Sequence, residues 1–227
     1  MAKAKKKNFR KKSVDKKQTK RIKELEKFVY KTMENKQVNK QSGNINIGWN
    51  WNAQSAFLSV DVGAEDGAMQ GDPARIGNSI TLLNQKFNFN FKFRQGHDEF
   101  NQMRLIIAEA LEGSTTLSIA NVLAYSNYSI YGDMVFNSPY TTKTQTNQRY
   151  KIHMDKKFTL TDVNPCKVIS HNIKYREGGS SGKVVTFDGS GNPTPTNHRI
   201  IAFCISDSGA VQHPRMDYSV RSTYKDA

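Results

Sequence analysis

A strict alternation of aromatic and polar side chains over residues 86–94, KFNFNFKFR, restricts the fold of this chain more than any other segment. Phe87, Phe89, Phe91 and Phe93 occupy every second position, and lysine, asparagine and arginine fill the positions between them. Successive side chains of a β-strand point to opposite faces of a sheet. The segment therefore predicts a strand with one buried aromatic face and one polar, basic face.

The same period of two recurs along most of the chain. It predicts strands over residues 44–52, 56–62, 80–94, 101–111, 147–161, 168–176, 198–207 and 216–225. We expect a bulge in the third of these strands near Asn84, and strand 101–111 to be buried on both faces. Residues 117–125 predict a single helical turn, and residues 126–146 are typical of a loop. Residues 178–197 are typical of a long exposed loop or a small hairpin.

For two of these strands, the alternation also predicts which side chains share a face. The alternation in strand 44–52 places Trp49 and Trp51 on an apolar face, in the core. In strand 147–161, it places Tyr150, Ile152 and Met154 on one side. His153 and Asp155 then share the other side, where they could form a two-ligand metal site, although a surface pair is the ordinary interpretation.

The pattern as a whole indicates the fold class. Helices and strands do not alternate, and no repeat is visible, which argues against a parallel sheet and against a solenoid. The predicted fold is all-β, a two-sheet sandwich or single eight-stranded jelly roll of two antiparallel sheets.

Positive charge is concentrated at the N-terminus. Residues 1–40 hold 16 basic and 4 acidic residues, a net charge of +12, whereas residues 41–227 hold 18 and 16, a net charge of +2. We therefore predict a partly disordered basic arm, residues 1–40, followed by a folded domain, residues 41–227. Within the arm, residues 19–36 predict a short amphipathic helix with Thr19 as its cap. Its apolar side either packs on its own domain, or contacts other copies or becomes ordered on nucleic acid.

The arm predicts binding to a polyanion such as nucleic acid. Fourteen of its cations are lysines, which neutralise phosphates but do not read bases. The predicted nucleic-acid contacts are Lys3, Lys5, Lys6, Lys7, Arg10, Lys11, Lys12, Lys16, Lys17, Lys20, Arg21 and Lys23. Lys86, Lys92 and Arg94, on the polar side of strand 80–94, are either an ordinary solvated face or a second row of phosphate contacts.

Three segments, in this order, resemble one protein family. They are GDPARIGNSITLLNQKF at residues 71–87, QMRLIIAEALEGSTTLSIANVLAYSN at 102–127 and YKIHMDKKFTLTD at 150–162. Together with the basic arm, they resemble the capsid proteins of circular, Rep-encoding single-stranded DNA viruses (CRESS-DNA viruses). The shell domain of that family is similar to that of satellite necrosis virus.

The resemblance implies a role and a set of partners. It implies a jelly roll that self-assembles into the smallest icosahedral (T=1) shell, of about sixty copies, with the arm pointing inward to a genome of single-stranded DNA. The protein would then reside in the virion, and in the host nucleus or cytoplasm during assembly. The runs AKKK and RKK resemble nuclear-localisation patches, which implies contact with the nuclear import machinery. Residues 178–197 would form a surface loop.

Two other functions fit the same sequence. One is a non-assembling protein that binds nucleic acid through a basic tail without sequence preference, and the nearly neutral domain disfavours it. The other is a sugar-binding jelly roll, which requires exposed aromatic platforms and is disfavoured by the predicted burial of Trp49 and Trp51.

Catalytic and cofactor signatures are absent from the sequence. It contains no nucleophile elbow, phosphate-binding loop, HExxH zinc motif or dinucleotide fingerprint, so we expect neither an enzyme nor a bound cofactor. Cys166 and Cys204 lack metal-ligand spacing and are expected to be buried and reduced. The sequence contains no run of 18 or more apolar residues, so no membrane span is predicted. Weak candidate metal ligands are His97, Asp98 and Glu99, and for calcium between subunits Asp61, Glu65, Asp66 and Asp72.

Overall fold

The computed structural model describes residues 15–25, 35–54, 60, 62, 75, 77–94, 100–111, 118–141, 150–175, 182–188, 195–209 and 213–226. The chain divides into two units, Met1–Asn35 and Lys36–Ala227. In the first unit, residues 15–25 are helical and form α1. The Thr19 hydroxyl donates to the carbonyl of Asp15, 2.8 Å away, so Thr19 lies inside the helix and the prediction that it caps the start is wrong.

Within the described residues, the second unit contains nine strands, one more than the eight predicted from the sequence. They are β1 (Lys36–Asn46), β2 (Asn52–Gln54), β3 (Ser79–Lys92), β4 (Phe100–Ala110), β5 (Tyr150–Thr161), β6 (Cys166–Lys174), β7 (Lys183–Thr186), β8 (Arg199–Ser206) and β9 (Arg215–Asp226).

These strands form two antiparallel sheets. The first sheet has the order β1-β9-β3-β6, with β7 also paired to β3, and the second has the order β2-β8-β4-β5. The chain crosses between the sheets after β1, β2, β3, β5, β7 and β8, so strands distant in sequence become neighbours. This interleaving of a five-stranded and a four-stranded sheet is the jelly-roll topology, and it confirms the predicted fold class.

The aromatic row of β3 lies between the two sheets. Phe87, Phe89 and Phe91 are fully buried, whereas Lys86 and Lys92 on the opposite side of β3 are exposed. A buried aromatic ring removes about 150–250 Å² of surface from water, so this row is a major contribution to the core. The rings pack with apolar side chains of the other strands, including Leu105, Ile107, Ala202, Met216 and Val220. The bulge predicted in β3 is present, between Leu82 and Asn84.

Strand β4 is buried on both faces, as predicted. Residues 118–141 cover the outer face of the second sheet with α2 (Ile119–Val122), α3 (Tyr128–Tyr131) and a 3₁₀ helix (Gly132–Val135). The helical turn expected near residues 117–125 is therefore confirmed, but the loop predicted over residues 126–146 is wrong where α3 and the 3₁₀ helix form. The Asn127 side chain accepts from the Ser129 amide, 3.0 Å away, and caps the start of α3.

Arg104 fastens this covering segment to the second sheet. Its Nε and Nη2 donate to the two carboxylate oxygens of Asp155, at 3.0 and 2.7 Å. Its Nη1 donates to the carbonyls of Val135 and Ser138, at 2.9 and 3.2 Å. A guanidinium can be buried here because each of these nitrogens has an acceptor.

The structure corrects the prediction at the first strand. β1 begins at Lys36, inside the segment assigned to the arm and at the end of the predicted helix, and it ends at Asn46. Asn44 has a φ of 59°, and the pairing of β1 with β9 shifts register between Ser42 and Ile45. Because the extended strand is interrupted here, the alternation does not continue to residue 52. Trp49 is 43% exposed instead of buried, and Trp51 is half-buried.

A bulge in β5 corrects the assignment of faces there. The pairing of β4 with β5 shifts by one residue at Ile107 and Ala108, opposite His153. An inserted residue moves the following side chains to the other face of the sheet. Met154 therefore packs between the sheets, whereas Tyr150 and Ile152 pack on the outer face of the second sheet, so these three do not share one side.

The bulge also separates the two candidate metal ligands of β5. His153 contacts Glu109, which faces between the sheets, and Asp155 binds Arg104 on the outer face. The prediction that His153 and Asp155 share a face is therefore wrong.

The expected loop at residues 178–197 contains a strand where the structure describes it. β7 pairs with β3 from Ser79 to Leu82, and Phe187 forms a bridge with Pro195. Gly182, just before β7, has a φ of 123°, and a Cβ there would lie 2.7 Å from the Leu82 carbonyl oxygen, so the turn into β7 requires glycine. The strand predicted at 56–62 lies outside the described residues except for Val60 and Val62, which are buried.

Candidate nucleic-acid interface

Helix α1 presents its cations to solvent. Five predicted contacts lie in it, and every described residue of the helix is exposed. The five are Lys16, Lys17, Lys20, Arg21 and Lys23. Asp15 and Glu24 are the acidic residues of this segment, and Lys20 Nζ lies 3.9 Å from Glu24 Oε1, an exposed pair of little energetic weight. The remaining predicted arm contacts, Lys3, Lys5, Lys6, Lys7, Arg10, Lys11 and Lys12, lie outside the described residues.

The apolar side of α1 is also exposed. Ile22 and Leu25, which belong to the predicted apolar stripe, are 55% and 62% exposed. The other two members of that stripe, Val29 and Met33, lie outside the described part of the chain. Exposed apolar side chains between cations can contact bases or other protein surfaces, so the choice among the partners proposed for this helix stays a prediction.

The outer face of the first sheet is the second candidate surface. On β3 it presents Lys86, Asn88, Asn90 and Lys92, as the alternation predicts. In register with these four residues on β9 are Arg221, Ser219, Asp217 and Arg215. The face continues onto β6, where Lys174, Asn172 and Ser170 are exposed beside Asn84, Lys86 and Asn88.

Cations outnumber carboxylates on this face. Its exposed or half-buried cations are Lys86, Lys92, Lys174, Arg215 and Arg221. Among the described strand residues that share the face, Asp217 is the one carboxylate. Amide and hydroxyl side chains fill most of the remaining positions, so the face offers hydrogen bonds as well as positive charge.

Lys92 and Asp217 neutralise each other at one end of this face. Lys92 Nζ lies 2.9 Å from Asp217 Oδ2, and the other carboxylate oxygen accepts from the Asn44 amide at 2.8 Å. The hydrogen bond and the charge of Asp217 raise the pKa of Lys92. The hydrogen bonds from Lys92 and from the Asn44 amide lower the pKa of Asp217. Lys92 is therefore already paired, which makes it a weaker phosphate contact than predicted from the sequence.

The two other predicted cations of this row differ in exposure. Lys86 is exposed in the middle of the face, whereas Arg94 lies beyond the end of β3 and is half-buried. Lys86 is next to Arg221, whose Nε donates to Asn39 Oδ1 at 3.0 Å. The hydrogen bond to Asn39 orients the guanidinium and leaves its terminal nitrogens for an external anion.

Lys174, Arg215 and Arg221 are members of the face that the sequence reasoning did not single out. They lie on β6 and β9, more than 80 residues from β3 in sequence. The alternation in MDYSVRSTYK, residues 216–225, already separates Arg221 from the apolar positions and could have identified it as outward-facing. The pairing of β9 with β3, which places Arg221 beside Lys86, is a property of the topology and has no local signal.

A buried polar cluster occupies the opposite side of the first sheet. Glu109 is 4% exposed, and its carboxylate contacts His153 Nε2 at 2.7 Å, the Lys183 ammonium, and His198 Nδ1 at 3.5 Å. Gln85 Oε1 accepts from the Tyr175 hydroxyl at 2.9 Å and contacts His198 Nε2 at 3.1 Å.

The cluster perturbs the pKa values of its members. Burial opposes ionisation of Glu109, but the hydrogen bonds from His153, His198 and Lys183 together lower the pKa of Glu109. Burial lowers the pKa of His198, against the opposing effect of Glu109. The cluster joins β3, β4, β5 and β7 inside the sandwich. Its side chains are enclosed between the sheets, and this placement suits a structural role.

The predicted metal and cysteine residues can be placed only in part. In the described ranges, no three His, Cys, Asp or Glu side chains are arranged to hold a metal ion. The candidate ligands His97, Asp98, Glu99, Asp61, Glu65, Asp66 and Asp72 all lie outside those ranges. Both cysteines are free, but the expectation that both are buried is wrong for Cys166, which is exposed at the start of β6. Cys204 is buried, and burial raises the pKa of its thiol. No helix among the described residues is long and apolar enough to span a membrane.

Comparison with solved structures finds distant similarities in fold. No family model matches the sequence, and no curated protein matches it. The fold is similar to that of a protein of desmodium yellow mottle tymovirus, with 11% identity, coverage of 86% of this chain and 88% of the other, and a TM-score of 0.42.

Two further solved structures with a similar fold come from different classes of protein. The BFDV capsid protein in its decameric form has 9% identity, coverage of 85% and 96%, and a TM-score of 0.34. Peanut lectin has 10% identity, coverage of 85% and 100%, and a TM-score of 0.26. Identities near one tenth with TM-scores below 0.5 assign neither a family nor a function, since both capsid proteins and a lectin are included.

Proposed function

We propose that this chain is a viral capsid protein that self-assembles into a closed shell and packages nucleic acid through its N-terminal arm. The observation that carries the proposal is the division of charge between an arm and a jelly roll. Residues 1–35 hold 14 basic and 4 acidic residues, a net charge of +10, and the remaining 192 residues hold 20 and 16, a net charge of +4.

The arm suits neutralisation of a phosphate backbone. The cations of α1 are exposed, and most of the arm's cations are lysines, which act as point charges without base-reading geometry. Each phosphate that such a cation neutralises releases condensed counterions, which drives binding without sequence preference. Many arms inside one shell would multiply this effect.

The jelly roll offers surfaces for association between copies. Several large apolar side chains are exposed in the second unit, at fractions from 43% to 81%. They include Trp49, Phe100, Ile130, Met134 and Val163. Aromatic residues and methionine are enriched at protein–protein interfaces relative to the rest of a protein surface. Burial of these side chains between copies is the interaction expected to stabilise a shell.

Finer features of the proposal follow from the family resemblance. The shell would be the smallest icosahedral one, T=1, with about sixty copies, and the genome would be single-stranded DNA. The protein would reside in the virion, enter the host nucleus through its basic patches, and act structurally and not as an enzyme. Residues 178–197 would contribute to the outer surface.

A second candidate is a non-assembling, sequence-nonspecific nucleic-acid-binding protein. The near-neutral total charge of the folded domain disfavours this function, but its cations are not evenly spread. Five of them share the outer face of the first sheet with Asp217, and a binding protein without a shell would need such a face. Assembly into particles separates the two candidates.

The packaging role can be tested on the full-length chain. In one variant, the twelve predicted arm contacts become glutamine, and in a matched control, the ten lysines among them become arginine, which preserves the charge. We expect the glutamine variant to purify without nucleic acid and the control to retain the wild-type ratio of nucleic-acid to protein absorbance. An unchanged ratio in the glutamine variant contradicts packaging by the arm.

A further inference from the structure

Two adjoining depressions lie on the outer face of the first sheet. They share Gln41, Asn88 and Ser219 in their walls. One has a volume of about 530 Å³ and is otherwise lined by Asn39, Lys40, Lys86, Val220 and Arg221. The other has a volume of about 560 Å³ and is otherwise lined by Ser42, Gly43, Phe89, Asn90, Val168, Asp217 and Tyr218. Each volume is within the range of small-molecule sites.

The first depression, which we call the cationic depression, suits an anion. Lys86 and Arg221 are cross-strand neighbours, so two positive charges lie side by side. Neither has a carboxylate partner among the described residues, and like charges placed directly opposite each other are unfavourable without a counterion. The hydrogen bond from Arg221 Nε to Asn39 fixes the direction of the guanidinium. A phosphate between Lys86 and Arg221 would remove this repulsion.

The second depression, which we call the amide depression, suits a flat polar group. Asn88 Oδ1 accepts from the Ser170 hydroxyl at 2.8 Å, which fixes this amide and leaves its nitrogen as a donor. Asn90 and Gln41 add further donors and acceptors. Val168 is 68% exposed and supplies an apolar side. Amides beside an apolar wall match a nucleobase, which has a hydrogen-bonding edge and an apolar face.

Two features keep the amide depression open and compatible with an adjacent phosphate. A Cβ at residue 43 would lie 3.0 Å from Asp217 Oδ1, so a larger side chain than glycine would crowd this wall. The Asp217 carboxylate is neutralised by Lys92 at 2.9 Å. A phosphate bound at Lys86 and Arg221 is therefore not opposed by an unpaired carboxylate.

The two depressions are spaced for one nucleotide. Lys86, Asn88 and Asn90 follow each other at every second position of β3, a rise of about 6.7 Å for each pair of residues. The step from Lys86 to Asn88, about 6.7 Å, is comparable to the separation of a phosphate and its own base. A duplex could not enter in this way, because its bases are stacked and paired.

We propose that the outer face of the first sheet binds single-stranded nucleic acid one nucleotide at a time, with the phosphate in the cationic depression and an unstacked base in the amide depression. This site rests on the proposed function, since it assumes that the chain encounters nucleic acid. It adds to that function a contact that depends on the base, which the lysine-rich arm does not supply.

The test compares two probes of equal charge on the full-length protein. One is a fluorescein-labelled single-stranded oligothymidylate, and the other is an abasic oligonucleotide of the same length. The lysines of the arm should bind both probes equally, so the ratio of the two dissociation constants reports contacts to the base, and substitutions on the sheet face show whether those contacts lie there. In salt high enough to weaken the arm, we expect the oligothymidylate to bind about tenfold more tightly.

Substitutions locate the base contact. Asn90→Leu removes an amide from the amide depression, and Val168→Glu places a charge at an exposed position of its wall without disturbing the core. Each should bring the ratio close to one. Asn172→Leu is the matched control, because Asn172 is exposed on the same face and lines neither depression, and it should keep the wild-type ratio. The double variant Lys86→Gln, Arg221→Gln should weaken the binding of both probes by the same factor.

The outcomes separate this site from the proposed function. Equal binding of the two probes by the wild-type protein overturns the nucleotide site but leaves the arm's role intact. The nucleotide site is also overturned if Val168→Glu and Asn90→Leu leave the ratio of the two dissociation constants unchanged. Failure of the full-length protein to bind either probe, even at low salt, contradicts the proposed function as well.

Discussion

At the scale of single residues, burial on β3 separates side chains that the sequence places next to each other. Phe89 is fully buried, and its ring centroid lies 6.4 Å from that of Phe91 and 6.1 Å from that of Tyr218. Asn88 and Asn90, its chain neighbours, face outward. One strand thus supplies both the core of the sandwich and the polar face assigned to nucleic acid.

Truncation of Phe89 should reveal its share of the core. We expect Phe89→Ala to lower the free energy of unfolding by about 3–5 kcal/mol, because it leaves a cavity between the two sheets. Val184→Ala is the control, since Val184 is 54% exposed on β7, and it should change stability by about 0.5 kcal/mol or less. Urea unfolding followed by circular dichroism measures both. Equal losses in the two variants contradict the assignment of the aromatic row to the core.

At the scale of elements, the sequence predicted most strands because alternation is a local property. Strands β3 and β4 agree with their predicted ranges to within two residues at each end. The failures occur where a tertiary feature interrupts the alternation. The shift opposite His153 in β5 moves the following side chains to the other face. β1 ends at Asn46, so Trp49 and Trp51 lie outside it.

Other errors concern elements that depend on their partners. Residues 36–43 are polar, yet they form most of β1 because β9 supplies their backbone hydrogen bonds. Residues 128–135 contain Ser, Gly and Asp, which favour turns in isolation, and they are helical where they cover the outer face of the second sheet. The candidate site could not be predicted from the sequence for the same reason, because Arg221 lies beside Lys86 only through the pairing of β9 with β3.

The buried cluster around Glu109 predicts loss of stability in acid. His198 lies against Glu109 of β4, Lys183 of β7, His153 of β5, Gln85 of β3 and the ring of Tyr175 after β6. Its pKa is lowered in the folded state, first by burial, so folding favours the neutral form. A group with a depressed folded pKa contributes stability above its unfolded pKa, about 6.5, which is lost as the pH falls towards the folded pKa.

Neighbouring groups set the size of this effect. Burial also lowers the pKa of His171, which adds a dependence of the same sign. The pKa of Glu109 is lowered as well, so this carboxylate stays ionised across the same window. We therefore expect stability to decrease below about pH 6.5, and His198→Gln to reduce the slope of that decrease without abolishing it. Urea unfolding at several pH values measures the slopes, and identical slopes for the variant and the wild type contradict this role of His198.

At the scale of the whole molecule, the proposed function combines two units with different tasks. The first unit carries exposed cations in α1, and the second is a jelly roll with exposed apolar side chains and one cationic sheet face. Binding of nucleic acid alone requires only the cations. Assembly requires the apolar surfaces to pair between copies, so particle formation is the property that distinguishes a capsid protein from a basic-tailed binding protein.

The most direct test of the proposal is the mass and shape of the full-length protein in solution. Size-exclusion chromatography with light scattering, followed by negative-stain microscopy of the peak, measures both. The proposed function predicts uniform closed particles of about sixty copies of the 25.7 kDa chain, a protein mass of about 1.5 MDa. A species of one or two copies that persists across salt concentration and pH, with or without added nucleic acid, would contradict it.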